Sequence, residues 1–313
     1  MTVSFQTIDS LPIGISCQQV AAAFEPFRCN GSSTAGWSRQ LRMIRWNAAK
    51  RAWRRAVRAR EGTGRDTQVI AGEYESTWSR GYAAYDLSVG CRKPEPWLLR
   101  GEAFLADRSG VPRFRNVILG AVVRQLGPRR VLEVGCGNGI NLLLLASQFP
   151  GVAFSGIELT EAGNRVAREL QGAQSLPSAM AAYPLMTGTD PLAFRRINFM
   201  RGDATAMPFA DGEFDLVFTV LSVEQMERVR DKALNEIARV SSRYVLNMEP
   251  FAEANRSLLR RAHVFGRDYF RGTIPGMARY GLEPMWATTD FPQEIQLGAA
   301  LVLSRKSNLR ADV

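Results

Sequence analysis

The sequence predicts an α/β protein built on a mostly parallel β-sheet, and three observations carry this prediction. Strand-like and helix-like segments alternate from Val131 to Ser304, which places helices on both faces of a sheet. The apolar run that begins at Val131 leads into a turn with glycine at every second position, Gly135, Gly137 and Gly139. The 313 residues, 46% of them hydrophobic, are enough to bury a large core.

Local signals place each element in order along the chain. Apolar residues at helical spacing predict helices, short apolar runs predict strands, and Gly127 followed by Pro128 marks the end of a helix. The expected helices span 117–126, 140–149, 162–170, 231–240 and 252–264, and the expected strands span 131–134, 152–159, 214–220, 243–248, 282–289 and 299–304. Residues 129–313 are therefore the α/β domain, with an insertion at 171–194 that is either a binding loop or disordered.

Two blocks of residues resemble the class I S-adenosylmethionine-dependent methyltransferases. The glycine turn matches their first motif, E-x-G-x-G-x-G, with Glu133 at its first position. The block from Gly202 to Phe218 is similar to the G-D-A-x-x-L-P-F-x-D-x-x-F-D-x-V signature of the small-molecule branch. The resemblance implies a Rossmann-like sheet of seven strands with an antiparallel last strand. It also implies S-adenosyl-L-methionine as cofactor and S-adenosyl-L-homocysteine as product.

Several positions are expected to bind this cofactor. Glu158 ends the second strand about 20 residues past the glycines, where a carboxylate can accept both ribose hydroxyls; a helix N-terminal charge is the alternative. In the family, an aspartate after the third strand accepts the adenine amino group, and the next apolar residue packs on the ring. The cofactor residues that follow from the resemblance are Glu133, Gly135, Gly137, Gly139, Glu158, Asp203, Ala204 and Leu221.

The catalytic base is the less determined part of the site. Related enzymes often have Leu-Glu-His after the fourth strand, and this chain has Gln225 at the histidine position, which leaves Glu224 as a candidate. Glu249, just past the fifth strand, and His263, the single histidine, are the other candidates. Glu249 could instead cap a helix, and His263 could lie at the surface of a basic helix. No histidine and carboxylate constellation indicates a metal site.

These features favour methyl transfer to a small-molecule or glycan acceptor at oxygen, and they leave a simple amine as another possible acceptor. The loop after the fourth strand lacks the Asn-Pro-Pro-aromatic turn of enzymes that methylate adenine or glutamine nitrogen, and the Pro-Cys pair of cytosine C5 enzymes. Two alternatives remain open at this point. One is an RNA or tRNA methyltransferase, and the other is a non-catalytic, cofactor-binding regulatory protein.

The first 128 residues predict a basic helical extension outside the core (1–70) and a helical lid or cap segment (71–128). Nine basic residues and no acidic residue lie between Arg39 and Arg60, in a chain with a net charge of +10. An amphipathic helix of this composition, with Trp46 and Trp53, suits an anionic partner, either RNA or a membrane surface. The alternative is a solvated face. In the lid segment, Trp78, Arg80, Tyr82 and Tyr85 are expected to close over the methionine end of the cofactor or over the acceptor, unless they only pack on the core.

Apolar runs, the first residues and the cysteines give the expected cellular location. No apolar run is long enough to span a bilayer, and the first residues do not form a secretory signal. The four cysteines, Cys17, Cys29, Cys91 and Cys136, contain no C-x-x-C pair, which predicts reduced thiols in a cytoplasmic protein. The sequence carries no signal for the oligomeric state.

Overall fold

The computed structural model describes residues 4–29, 34–60, 67–79, 88–181 and 190–307. The strands in these ranges are β1 (Pro94–Leu99), β2 (Glu102–Asp107), β3 (Arg130–Val134), β4 (Ala153–Glu158), β5 (Asn198–Arg201), β6 (Phe214–Val220), β7 (Ser241–Glu249), β8 (Leu282–Thr288), β9 (Gln293–Glu294) and β10 (Ala300–Lys306). The α-helices are α1 (Cys17–Phe24), α2 (Thr34–Arg60), α3 (Thr67–Trp78), α4 (Val111–Leu126), α5 (Ile140–Gln148), α6 (Glu161–Gln171), α7 (Ser178–Ala181), α8 (Arg230–Val240) and α9 (Leu258–Arg267).

Seven strands form the central sheet in the order β5-β4-β3-β6-β7-β10-β8. The first five pair in parallel, and β10 runs antiparallel to both β7 and β8. The prediction of a Rossmann-like, mostly parallel sheet of seven strands with an antiparallel last strand is confirmed. Because β3, β4, β5 and β6 are adjacent and parallel, the loops that follow them meet at one edge of the sheet.

The N-terminal segment departs from the prediction. Residues 4–29 are not an extension outside the core, since Ile8, Val20, Phe24 and Phe27 are all buried. Phe24 packs edge to face against Phe114 of α4, with 5.4 Å between ring centroids. The segment is also tied to the far end of the chain, because the Ile8 N–H donates to Asp290 Oδ2 at 3.0 Å.

A second, small sheet covers the same side of the molecule in the order β2-β1-β9. It lies within the 71–128 segment that the sequence predicts as helical, apart from β9. A disulfide joins Cys29 to Cys91 just before β1, so the prediction that all four cysteines are reduced is wrong for these two. Cys17 and Cys136 are free and buried. The cytoplasmic location stays a prediction.

Helix α2 packs along α9. An added Cβ on Gly266 of α9 would lie 2.7 Å from the backbone nitrogen of Ala52, so the two helix backbones approach closely. Arg55 pairs with the buried Asp268 at 3.2 Å across this contact. The helix predicted at 252–264 begins later, at Leu258, and is preceded by a short 3-10 turn. Within the described ranges, no helix has the length and apolar content to cross a membrane.

Buried side chains hold the insertion 171–194 on both sides of residues 182–189. Met180 of α7 and Phe194 are fully buried. Residues 182–189 lie outside the described residues, so its role in acceptor contacts stays a prediction.

Candidate functional site

The glycine turn after β3 has the backbone that its sequence requires. Gly135, Gly137 and Gly139 have φ values of 73°, 54° and 76°, a region in which a Cβ is strained. An added Cβ would also lie 2.4 Å from Ser222 Cβ at position 135 and 2.6 Å from Trp78 Cζ2 at position 137. Only glycine therefore allows the turn to lie this close to its neighbours.

Glu158 joins the glycine turn to the end of β4. Its Oε2 accepts the N–H of Gly137 at 2.9 Å, and its Oε1 accepts both the N–H and the hydroxyl of Thr160 at 3.0 and 2.6 Å. The side chain of Thr160 caps α6. The carboxylate is thus buried but held beside the glycines, where the sequence predicts a ribose acceptor.

Asp203 and Ala204 follow β5 at the same edge of the sheet. One oxygen of Asp203, Oδ1, accepts the N–H and hydroxyl of Thr205 at 2.8 and 2.9 Å. This turn fixes the direction of the carboxylate and does not use its other oxygen. Ala204 is buried beside it.

The end of β6 forms a tight loop around a buried carboxylate. Leu221 has φ of 51°, which is uncommon for a residue with a side chain. Glu249 at the end of β7 accepts three backbone N–H groups of this loop, those of Ser222 and Val223 at 3.1 Å and that of Glu224 at 2.9 Å. Burial raises the pKa of Glu249 to about 7. Glu249 therefore fixes the loop backbone from behind and does not itself line the cavity described below.

Glu224 lies on that loop with one oxygen engaged. The Gln225 side-chain amide donates to Glu224 Oε1 at 2.7 Å, while Oε2 is buried and has no hydrogen-bond partner among the described residues. Burial, and then the nearby charge of Glu249, raise the pKa of Glu224 to about 8. A carboxyl group in this state exchanges a proton near neutral pH.

Glu133 at the end of β3 is arranged in the same way. Its Oε1 accepts from the Asn141 amide at 2.7 Å, and its buried Oε2 has no partner within the described part of the chain. Burial raises the pKa of Glu133 to about 8 against the effect of the Asn141 hydrogen bond. The free oxygen can accept a hydrogen bond from a ligand.

Helix α3 covers the glycine turn. Glu75 accepts the N–H of Ala162 with both oxygens at 3.1 Å, which holds α3 at the start of α6. Trp78 at the end of α3 lies against Gly137, and its buried indole N–H finds no acceptor in the described ranges. Three of the predicted lid residues, Arg80, Tyr82 and Tyr85, lie outside the described residues.

One cavity of about 810 Å³ connects these groups, a size typical of small-molecule sites. It contains Trp78, Glu224 and seven of the eight predicted cofactor residues, all except Gly139. His263 does not line this cavity. It is buried against Tyr269, not at the surface, and burial together with Arg267 and Arg51 lowers the pKa of His263 to about 4.

One wall of the cavity is charged, and the sequence did not predict it. Arg108 lines it and pairs with Glu294 of β9 at 2.6 Å, whereas the Nε of Arg115 is buried without a hydrogen-bond partner among the described residues. Burial lowers the pKa of Arg115 to about 10, so it remains a cation at neutral pH. No sequence signal marks this residue among 36 arginines, because its place depends on how α4 packs beside β9. In the described ranges, no group of histidine, cysteine and carboxylate side chains could hold a metal ion.

Residues 132–243 match the protein family described as "Methyltransferase domain". Ajmaline N-methyltransferase of Rauvolfia serpentina is 30% identical over 115 residues, which are 37% of this chain and 33% of that protein. The chloroplastic tocopherol O-methyltransferase of Arabidopsis thaliana is 34% identical over 116 residues, or 36% of this chain and 27% of that protein. The matched part of this chain thus spans between about a quarter and a third of the length of these relatives.

Among solved structures, magnesium protoporphyrin IX methyltransferase of Synechocystis PCC 6803 with bound SAH has a TM-score of 0.50 at 13% identity. The match covers 77% of this chain and 100% of that chain. A likeness at this identity establishes a shared fold.

Proposed function

We propose that the chain, whose residues 132–243 match the methyltransferase-domain family, uses S-adenosylmethionine to methylate an oxygen of a small-molecule or glycan acceptor. The observation that carries this proposal is that seven of the eight predicted cofactor residues and Glu224 line the same cavity. The name of the tocopherol O-methyltransferase supports oxygen, although the ajmaline relative is an N-methyltransferase. We also propose that the chain belongs to the small-molecule branch of the class I methyltransferases.

The residues present fit the cofactor. Gly135 and Gly137 line the cavity at the carboxyl end of β3. Glu133 Oε2 and the Trp78 indole N–H are buried polar atoms without partners in the described ranges, so a ligand could pair with them. Glu158 would hold the ribose hydroxyls and Asp203 the adenine amino group, with Ala204 against the ring. When bound, S-adenosylmethionine supplies a methyl group made electrophilic by the adjacent sulfonium.

Glu224 is the proposed general base. Its unpartnered Oε2 can accept the proton of an acceptor hydroxyl, while the Gln225 amide fixes the other oxygen. Because the pKa of Glu224 is about 8, the basic form becomes dominant only above that pH. Glu249 holds the same loop in place and would act as a positioning residue.

The cofactor part of the proposal is tested by calorimetric titration of S-adenosylmethionine and S-adenosylhomocysteine. Asp203→Ala and Glu158→Ala should each weaken binding at least tenfold, about 1.4 kcal/mol. Glu283→Ala, which changes an exposed carboxylate on β8, is the matched control and should bind like the wild type. Absence of binding to the wild type would refute the proposal for this chain.

The acceptor part is tested with a methyl-labelled cofactor and three extract fractions containing lipids, polar metabolites and RNA. Label in a small molecule, lost in Glu224→Gln by a factor of about 10² or more, supports the proposal. Label in RNA would favour the RNA methyltransferase alternative. Cofactor binding without a labelled product in any fraction would favour the non-catalytic alternative.

A further inference from the structure

Helix α2 presents one face to its neighbours and the opposite face to solvent. On the inner face, Ala48 is 1% exposed, Arg55 pairs with Asp268, and the Gln40 amide donates to the Pro94 carbonyl at 3.0 Å. These contacts, together with the close approach of α9 at Gly266, fix the rotation of the helix about its axis. The outward side chains are therefore held in a defined arrangement.

The outer face of α2 combines large apolar side chains with cations. Trp46 and Trp53 are 70% and 73% exposed, and Met43 and Val57 are exposed on the same side. The exposed residues that make up this outer face are Arg39, Arg42, Met43, Trp46, Lys50, Trp53, Arg54 and Val57. Folded proteins rarely leave such a face uncovered without a partner.

The charge of the helix selects the kind of partner. No acidic residue occurs between Thr34 and Arg60, so no side chain within the helix neutralises these cations. Cations near a bilayer are attracted to anionic headgroups, and tryptophan prefers the interface between headgroups and acyl chains. Trp46 and Trp53 are two turns apart, about 10 Å, so both can enter one flat surface.

We propose that the outer face of α2 binds an anionic lipid surface. A bilayer fits better than RNA because Met43 and Val57 lie beside the tryptophans, and aliphatic side chains gain from acyl contact but cannot stack on bases. The inner face contacts β1 at Pro94, next to Lys93 in the cavity wall. If the proposed function holds, this contact brings the cavity near the membrane, where an apolar acceptor would be dissolved.

The test is flotation with vesicles of phosphatidylcholine alone and of phosphatidylcholine mixed with phosphatidylglycerol. The wild type should bind only the anionic vesicles, less tightly at high salt, and its tryptophan fluorescence should shift to the blue. Trp46→Ser with Trp53→Ser should weaken binding about tenfold or more and remove the shift. Arg42→Gln with Arg54→Gln should weaken it by about fivefold for each cation.

Met285→Ser with Arg168→Gln is the matched control, since both residues are exposed on other elements, and it should bind like the wild type. Titration of every variant with S-adenosylhomocysteine measures whether the variant is folded and binds the cofactor, independently of vesicle binding. Failure of the lipid proposal therefore does not bear on the proposed methyl transfer. Equal binding to both vesicle types would overturn the proposal. A wild type that binds neither kind of vesicle would also overturn the proposal. In that case, a tryptophan variant that loses affinity for a labelled single-stranded RNA would indicate an RNA surface, and one that changes from dimer to monomer in sedimentation would indicate a surface between two copies of the chain.

Discussion

Alanine at position 137 would place a methyl group 2.6 Å from Cζ2 of Trp78 in a backbone with φ of 54°. The left-handed backbone costs a residue with a Cβ about 1–2 kcal/mol. Crowding against the indole adds about 1–3 kcal/mol, as in other overpacked sites. We therefore expect Gly137→Ala to lower the free energy of unfolding by about 2–5 kcal/mol.

Gly127→Ala separates the two contributions. Gly127 has nearly the same φ, 56°, but an added Cβ there would have no described atom within 4 Å. It should cost only the backbone part, about 1–2 kcal/mol. The assay is urea unfolding of the wild type, the two single variants, Trp78→Ala and the double variant Gly137→Ala with Trp78→Ala, with S-adenosylhomocysteine titration in parallel.

The double variant isolates the contact between the turn and the lid. If Trp78 lies over the turn, its removal should recover the crowding part of the Gly137→Ala cost, which is about 1–3 kcal/mol of coupling. Equal costs for alanine at positions 137 and 127, with no coupling to Trp78, would refute the assigned position of α3 over the glycine turn.

Three further predictions concern other parts of the molecule. Between pH 4.5, the ordinary pKa of a glutamate, and about 8, the pKa of Glu133 in the folded protein, the folded wild type keeps a proton that the unfolded chain releases, so the free energy of unfolding falls as the pH rises. Glu133→Gln should remove this contribution to the slope, which is about 1.4 kcal/mol per pH unit. Urea unfolding across this pH range would measure the slope, and an unchanged slope would contradict the prediction. Arg115→Met should weaken S-adenosylhomocysteine binding about tenfold and leave 5′-methylthioadenosine binding unaffected, because only the first ligand carries a carboxylate that the Arg115 Nε–H, which has no partner among the described residues, could bind. Equal losses of affinity for the two ligands in calorimetry would argue against this pairing. Cys29→Ser with Cys91→Ser should lower the free energy of unfolding by about 4 kcal/mol, because the disulfide closes a loop with a sequence separation of 62 and so restricts the unfolded chain. Thermal unfolding with and without reductant would measure this loss. A wild type whose stability does not change with reductant would contradict the prediction.

The central sheet and the residues expected to bind the adenosine part of the cofactor could be predicted from the sequence because their signals are local. Glycine at positions 135, 137 and 139 predicts a backbone with positive φ, as the structure has it. Glu158 and Asp203 follow strands that alternate with amphipathic helices. Parallel strands with adjacent ends bring such residues together without further information. The cofactor roles of these residues remain predictions until titration tests them.

The parts that were missed depend on partners far away in the chain. Residues 4–29 were predicted as an extension because no local signal in the sequence indicates that Ile8 contacts Asp290. The small sheet was not predicted because β1 pairs with β9 across nearly two hundred residues. The spacing of Cys29 and Cys91 does not encode their pairing. The rotation of α2 that turns Arg55 toward Asp268 and exposes Trp53 follows from the contact of α2 with α9, which periodicity alone does not specify.

The hydrogen bond between Ile8 and Asp290 spans 282 residues, and this separation has a consequence during synthesis. At about 5–20 residues per second, a ribosome needs roughly 14–56 s to extend the chain from one partner to the other. Through that interval Ile8 lacks its final partner, whereas Phe24 can pack against Phe114 as soon as α4 has been synthesised. The contact that ties residues 4–29 to Asp290 therefore forms late in synthesis, after the partners of Phe24 are available.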